Sequence, residues 1–171
     1  FNNAYIEIVS IIFILLGSIP FILYIKFISD DKKIIFKDEQ VKLFFKLTLI
    51  SILVLFIYLI IVNKSIFEIH LRSVIFNVVS ILTGTGYVTK EFDQWGNFPL
   101  IFFLILMFIG GCAGSTTCGI KIFRVHILYY FIRNHLIKII YPRSIINLKY
   151  NNNKVEDKLI ASIVSFIYLY I

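Results

Sequence analysis

An all-α integral membrane protein, built around a helix–re-entrant pore loop–helix unit, is the fold class this sequence predicts. Three observations lead there. The 171 residues are 59% hydrophobic with a mean hydropathy of +0.89, whereas soluble domains hold roughly 45–50% apolar residues. Four apolar stretches, 4–28, 43–62, 98–131 and 159–171, are separated by polar or basic segments. Seven of the eight glycines fall between 84 and 119, in the part of the chain where a plain membrane helix has least use for them.

A helix needs about 20 apolar residues to cross a hydrocarbon core. Residues 4–28 qualify as the second helix of a preceding unit, with Gly17 and Pro20 as a kink. The mixed-charge stretch SDDKKIIFKDEQVK, residues 29–42, reads as a linker. Residues 43–62 are apolar on every face, as expected of a helix surrounded by lipid or other helices. Residues 132–158 form a second linker, and the last apolar stretch, 159–171, is a helix that stops after thirteen residues. Position 1 is Phe and no charged n-region or cleavage site precedes the first apolar run, so a signal peptide is not expected. Together these ends read as an excerpt of a longer chain.

The formal charge of +7 is unevenly placed. Six lysines lie between Lys26 and Lys46, and eight Lys or Arg lie between Lys121 and Lys158, against three in 63–97. The positive-inside rule then makes 29–42 and 132–158 cytoplasmic and 63–97 external. Basicity is here a topology signal, and nucleic-acid binding is not expected. Cys112 and Cys118 have no second pair at metal-ligand spacing, and His126 and His135 have no carboxylate partners in sequence. They read as packing and interfacial residues. No catalytic residue and no enzyme activity are expected.

The outer segment carries the first motif. In HLRSVIFNVVSIL, residues 70–82, Val74, Ile75, Val78, Val79 and Leu82 form an apolar stripe of helical period. A strand there would leave backbone groups unpaired at membrane depth. A short pore helix entering and returning on one side is the consistent reading. Thr83, Gly84, Thr85, Gly86 and Tyr87 follow it. Irregular backbone within a membrane must be buried in protein or line a water-filled path. A selectivity filter replaces an ion's hydration shell with backbone carbonyl oxygens, and glycine is cheapest where that path demands positive φ. Tyr87 is a candidate brace for the strand. Glu68, Glu91 and Asp93 sit on the outer side, where they would raise local cation concentration. The competing reading is a glycine-rich turn between two helices.

The second motif is MFIGGCAGSTTCGIKIFRV, residues 107–125. Gly costs a helix about 1 kcal/mol relative to Ala, so Gly110, Gly111, Gly114 and Gly119 with Ser115, Thr116 and Thr117 should break the 98–131 helix. The expected result is helix to about Ile109, a flexible loop 110–119, and helix from about Ile120. A phosphate-binding P-loop is excluded, because Ile122 replaces the required Ser/Thr, Lys121 does not follow Gly119 directly, and no strand precedes it. Two readings remain: Gly110 and Gly114 as a GxxxG packing step, or a broken helix gating an ion path, with Lys121 and Arg124 at its cytoplasmic end.

TGTGY, then FDQW, an apolar run and FIGGCAGSTTCGIKIFR together resemble the Trk/Ktr/HKT superfamily of potassium transporters, most closely the bacterial Trk-type pore subunits. Gly110, Gly111, Gly114, Ser115, Thr116, Gly119, Ile120 and Lys121 match the superfamily's pattern GG-x-x-GST-x-GG-[IM]-K; Thr117 fills a variable position and Cys118 replaces a usual glycine. Gly86 falls on the glycine associated with potassium selectivity, and Gly84 stands where Thr is common. The resemblance implies a potassium-channel-like transporter of four helix–pore-loop–helix repeats. Residues 1–28 would end the second repeat, 43–131 form the third, and 159–171 begin the fourth. It further implies K⁺ uptake across a bacterial inner membrane, with K⁺ held at Thr83, Gly84, Thr85 and Gly86. A homodimer and a cytosolic nucleotide-binding regulatory ring are implied as partners, alongside the rest of the chain and the lipid bilayer. The basic segments 26–46 and 133–158 are docking surfaces for the ring or contacts for lipid headgroups. The alternative reading is a helix-packing or membrane-enzyme subunit with no ion path.

Overall fold

Residues 67–82 form the helix around which the molecule is organised, because over 71–82 it is apolar on more than one face and buried on nearly all of them. The computed structural model describes residues 3–29, 34–63, 67–141, 149–150 and 153–170. Its helices are α1 (Ala4–Gly17), α2 (Phe21–Ser29), α3 (Ile34–Lys37), α4 (Glu39–Asn63), α5 (Phe67–Leu82), α6 (Asn97–Phe108), α7 (Ile122–Ile140) and α8 (Asp157–Tyr170). A 3₁₀ turn covers Phe92–Trp95, and two two-residue strands, Lys149–Tyr150 and Asn153–Lys154, pair antiparallel. Lys64 and parts of both linkers lie outside the described residues, as does the side chain of Glu68.

The expected single helix 4–28 is two helices. α1 and α2 meet at 85°, a sharper break than a kinked span. Pro20 supplies no N–H and disfavours helical geometry at Ile19, while the Ser18 N–H closes α1 on the Ile14 and Leu15 carbonyls. α4 begins earlier than the sequence suggests. Asp38 Oδ1 accepts from the backbone N–H groups of Gln40 and Val41, an N-cap that extends the helix through the polar residues 39–42. α4 is the one described helix long and apolar enough by itself to span a membrane.

α5 packs against α1, α4 and α6. Val74, Val78, Val79 and Leu82 are buried as the stripe predicts, and so are Phe76 and Ile81 on its other faces. Phe44, Leu55 and Leu59 of α4 and Phe103 and Leu106 of α6 complete this core, with Trp95 folded under Phe103. Glu7 of α1 is buried at the α5 contact, its carboxylate 2.5 Å from the Arg72 guanidinium. By contrast, Phe13, Ile25, Ile61, Ile101 and Tyr168 are exposed. Apolar surface of that extent belongs to a protein whose surroundings are lipid or further helices.

Candidate functional site

The five residues after α5 do not share one environment. Thr83 is buried, its hydroxyl donating to the Val79 carbonyl (2.8 Å) and 2.9 Å from the Thr85 hydroxyl. Gly84, Thr85, Gly86 and Tyr87 are exposed. The first turn of the stretch is held by its own helix: Thr83 N–H donates to Val79, Gly84 N–H to Ile81, and both Thr85 and Gly86 N–H to the Ser80 carbonyl. Gly84 and Gly86 have φ of +74° and +81°, a region costing other residues roughly 1–2 kcal/mol. Tyr87, expected as a brace, is 62% exposed. Asn77, which sequence reasoning passed over, also braces the segment. Its side chain reaches the segment's outer end at Thr89 and Lys90.

The 98–131 stretch breaks where the glycines lie. α6 ends at Phe108 and α7 begins at Ile122, so Gly110 and Gly114 lie in no helix and the GxxxG packing reading fails. The intervening loop, expected to be flexible, is closed at its neck. Gly110 N–H donates to the Ile120 carbonyl (2.8 Å), Ile120 N–H to Phe108 (2.9 Å) and Ile122 N–H to Gly111 (3.0 Å). A Cβ on Gly110 would lie 1.9 Å from the Cys118 carbonyl oxygen; the two backbones meet where only hydrogen fits.

Inside that neck Thr117, the residue in the variable position, is a hub. Its Oγ1 accepts from the Gly111 N–H (3.0 Å), lies 2.8 Å from the Ser115 hydroxyl and accepts from the Lys121 ammonium (3.1 Å). Lys121 also donates to the Thr117 carbonyl. Its charge is therefore turned back into the loop instead of standing at the cytoplasmic end. Arg124 lies 3.7 Å over the Phe166 ring of α8, a cation–π seat.

The break between α1 and α2 docks on the same loop. Cys112 N–H donates to Ser18 (3.2 Å), Thr116 N–H and hydroxyl to Gly17 (3.3 and 3.1 Å), and Phe21 N–H to Gly114 (3.0 Å). Gln40 of α4 adds its Oε1 as acceptor for the Ala113 N–H (2.9 Å). Backbone groups freed by the α1–α2 bend and by the loop satisfy one another, which is what irregular backbone away from water requires.

Filter candidate and loop touch. Cys118 N–H donates to the Thr83 carbonyl at 3.4 Å, and a Cβ on Gly84 would sit 3.0 Å from Cys118 Cβ. Of the two cysteines read as packing residues, Cys112 is buried and Cys118 is exposed. Cys118 lines an open cavity of about 320 Å³ with Thr83, Gly84, Thr85, Thr116 and Thr117, and with Phe13 and Gly17 of α1. Thr83, Thr85, Thr116 and Thr117 bring hydroxyl groups to a lining that is otherwise largely apolar. Among the described residues no group of three His, Cys, Asp or Glu could hold a metal ion.

Tyr150 of the short ribbon packs edge-on to Phe123 of α7 (4.9 Å), and His126, expected at the interface, is buried beside it. Burial, with the Asp38 charge adding, pushes the Tyr150 phenol above its ordinary pKa.

A family model described as TrkH, cation transport protein, matches residues 1–171. The Trk system potassium uptake protein TrkI of Halomonas elongata is 35% identical over 159 residues, 93% of this chain and 32% of its own. TrkG of Escherichia coli, of the same system, is 29% identical over 173 residues, covering 99% and 35%. The crystal structure of the potassium transporter TrkH from Vibrio parahaemolyticus superposes with a TM-score of 0.93 at 26% identity, over 99% of this chain and 37% of that one. The chain thus spans about a third of the length of the relatives it matches. It belongs to the TrkH family of cation transport proteins, which are membrane transporters and not enzymes.

Proposed function

We propose that these residues form one helix–pore-loop–helix unit of a potassium uptake path, with Thr83, Gly84, Thr85 and Gly86 offering carbonyl and hydroxyl oxygens to the dehydrated ion. The supporting observation is that this stretch, bent by two positive-φ glycines and exposed from Gly84 on, leaves the end of a buried helix directly against a second glycine loop. The C-terminus of α5, about half a negative charge, precedes Thr83 and favours a cation there. Gly110, Gly111, Gly114, Ser115, Thr116, Gly119 and Lys121 form the gate beneath, on a loop whose two ends are joined at the Gly110–Ile120 neck. Conduction then requires the loop to yield, and a membrane potential adds about 2.3 kcal/mol per charge per 100 mV toward entry.

One unit cannot surround an ion, so the path is completed by three further units of the same chain, and two such chains make a homodimer. The unit sits in a bacterial inner membrane, with 63–97 external and 29–42 and 132–158 cytoplasmic. A cytosolic nucleotide-binding ring docks on the basic inner segments. The test is growth on low potassium of cells lacking their own uptake, supplied with the complete chain containing residues 1–171. Rescue is expected, with potassium preference lost in well-expressed Gly86→Ser. Equal growth of the two would reduce Gly86 to a turn glycine and remove the filter reading.

A further inference from the structure

We infer that Asn77 of α5 is a positioning residue for ion selectivity, acting as a side-chain clamp on the outer arm of the filter segment. The inference rests on the filter reading above. Asn77 is fully buried in mid-helix, where asparagine is a poor helix former and an unpaired amide is costly. Its amide bonds through both oxygen and nitrogen, and each of these bonds goes to residues 89 and 90 instead of to its own helix. Nδ2 donates to the Lys90 carbonyl (2.9 Å), and Oδ1 accepts from the Thr89 N–H (3.1 Å) and hydroxyl (3.5 Å). The orientation is fixed by chemistry, since a backbone N–H needs the oxygen and a backbone carbonyl needs the NH₂.

The clamp completes a two-point suspension. At the inner end, the Ser80 carbonyl holds the N–H groups of Thr85 and Gly86. At the outer end, Asn77 holds residues 89 and 90. Ser80 and Asn77 are three apart on α5, one helical turn, and so share a face. Between the two anchors Tyr87 and Val88 are exposed at 62% and 42%. Without Asn77, residues 89 and 90 would lose their side-chain tie to α5. Discrimination between ions of similar charge depends on where coordinating oxygens are held, so a loosened outer arm admits the wrong ion before it blocks the right one.

The experiment uses the complete chain, in cells without other potassium uptake, and follows Rb⁺ entry in competition with K⁺ and with Na⁺. Asn77→Leu removes both contacts at similar volume, and Asn77→Asp keeps the acceptor while losing the Nδ2 donor. Lys90→Ala retains the clamped carbonyl and serves as control. We expect Asn77→Leu to keep Rb⁺ entry while its preference for K⁺ over Na⁺ falls about tenfold, the scale of one to two lost hydrogen bonds. Asn77→Asp should fall between, and Lys90→Ala should match the parent. If Asn77→Leu does not reach the membrane, the Asn77→Asp preference decides. A parental preference in folded Asn77→Leu, or in Asn77→Asp where Asn77→Leu is absent, overturns the clamp provided that Gly86→Ser shifts preference in the same assay. If Gly86→Ser is also without effect, the filter reading itself is overturned, and the clamp with it.

Discussion

The two glycine-rich stretches of this protein, 83–87 and 110–119, are held in opposite ways. The first hangs from its own helix, its N–H groups bonded to carbonyls at Val79, Ser80 and Ile81. The second is held by elements distant in sequence: the α1–α2 break through Gly17, Ser18 and Phe21, and α4 through Gln40. Their glycines differ accordingly. A Cβ on Gly86 would meet nothing within 4 Å, so glycine is needed there for its φ of +81°. At Gly110 the reason is contact, since a Cβ would lie 1.9 Å from a backbone oxygen. One stretch uses glycine for backbone freedom in an open space, the other for close approach in a filled one.

The sharpest way to break this contrast is a pair of alanine substitutions. Gly110→Ala forces backbone apart at the neck and should destabilise by more than about 4 kcal/mol, the range seen when a site cannot adapt. Gly86→Ala adds strain alone and should cost roughly 1–2 kcal/mol. Thermal unfolding and folded yield of the detergent-solubilised full chain measure both. Similar losses at the two sites would mean that the glycines do one job.

Thr117→Val is expected next in size. It keeps the shape of the side chain but strands the buried Gly111 N–H and removes one acceptor from Lys121, at about 1–3 kcal/mol for the unsatisfied donor. Cation leak through the complete assembly should rise as the loop loosens, with selectivity unchanged. A shift in selectivity without leak would place Thr117 with the filter.

The smallest effect belongs to Gln40→Leu. It withdraws one acceptor from the Ala113 N–H, at about 1 kcal/mol, and tests whether anchoring from α4 reaches the loop. Hydrogen exchange at Ala113 is the direct readout. Unchanged protection there would leave the α1–α2 break as the anchor that matters.

Much of this was legible in the sequence for a physical reason. The α5 helix and the turn after it are built from contacts within six residues, so periodicity and two glycines announce them. The break of the 98–131 helix was legible in the same way, through glycine's cost to a helix. Asn77 left a signal too. Ser73, Asn77 and Ser80 recur at helical spacing through an apolar run and are all buried. The sequence reading followed only the apolar stripe; in the fold, Asn77 and the Ser80 carbonyl hold the returning segment.

What only the tertiary structure decided are the partnerships across long separations. The Gly17 and Ser18 carbonyls give no hint in sequence that they wait for Thr116 and Cys112, nearly a hundred positions on. Thr117 stands in a position where the superfamily varies, and Lys121 reads as an inner-end charge until the loop folds it inward. Composition, periodicity and glycine placement are properties of the local chain, and they determined the membrane class, the order of the main helices and the break of the 98–131 helix. The pairing of one break's freed backbone groups with another's depends on how helices cross in space, and local sequence carries no record of that.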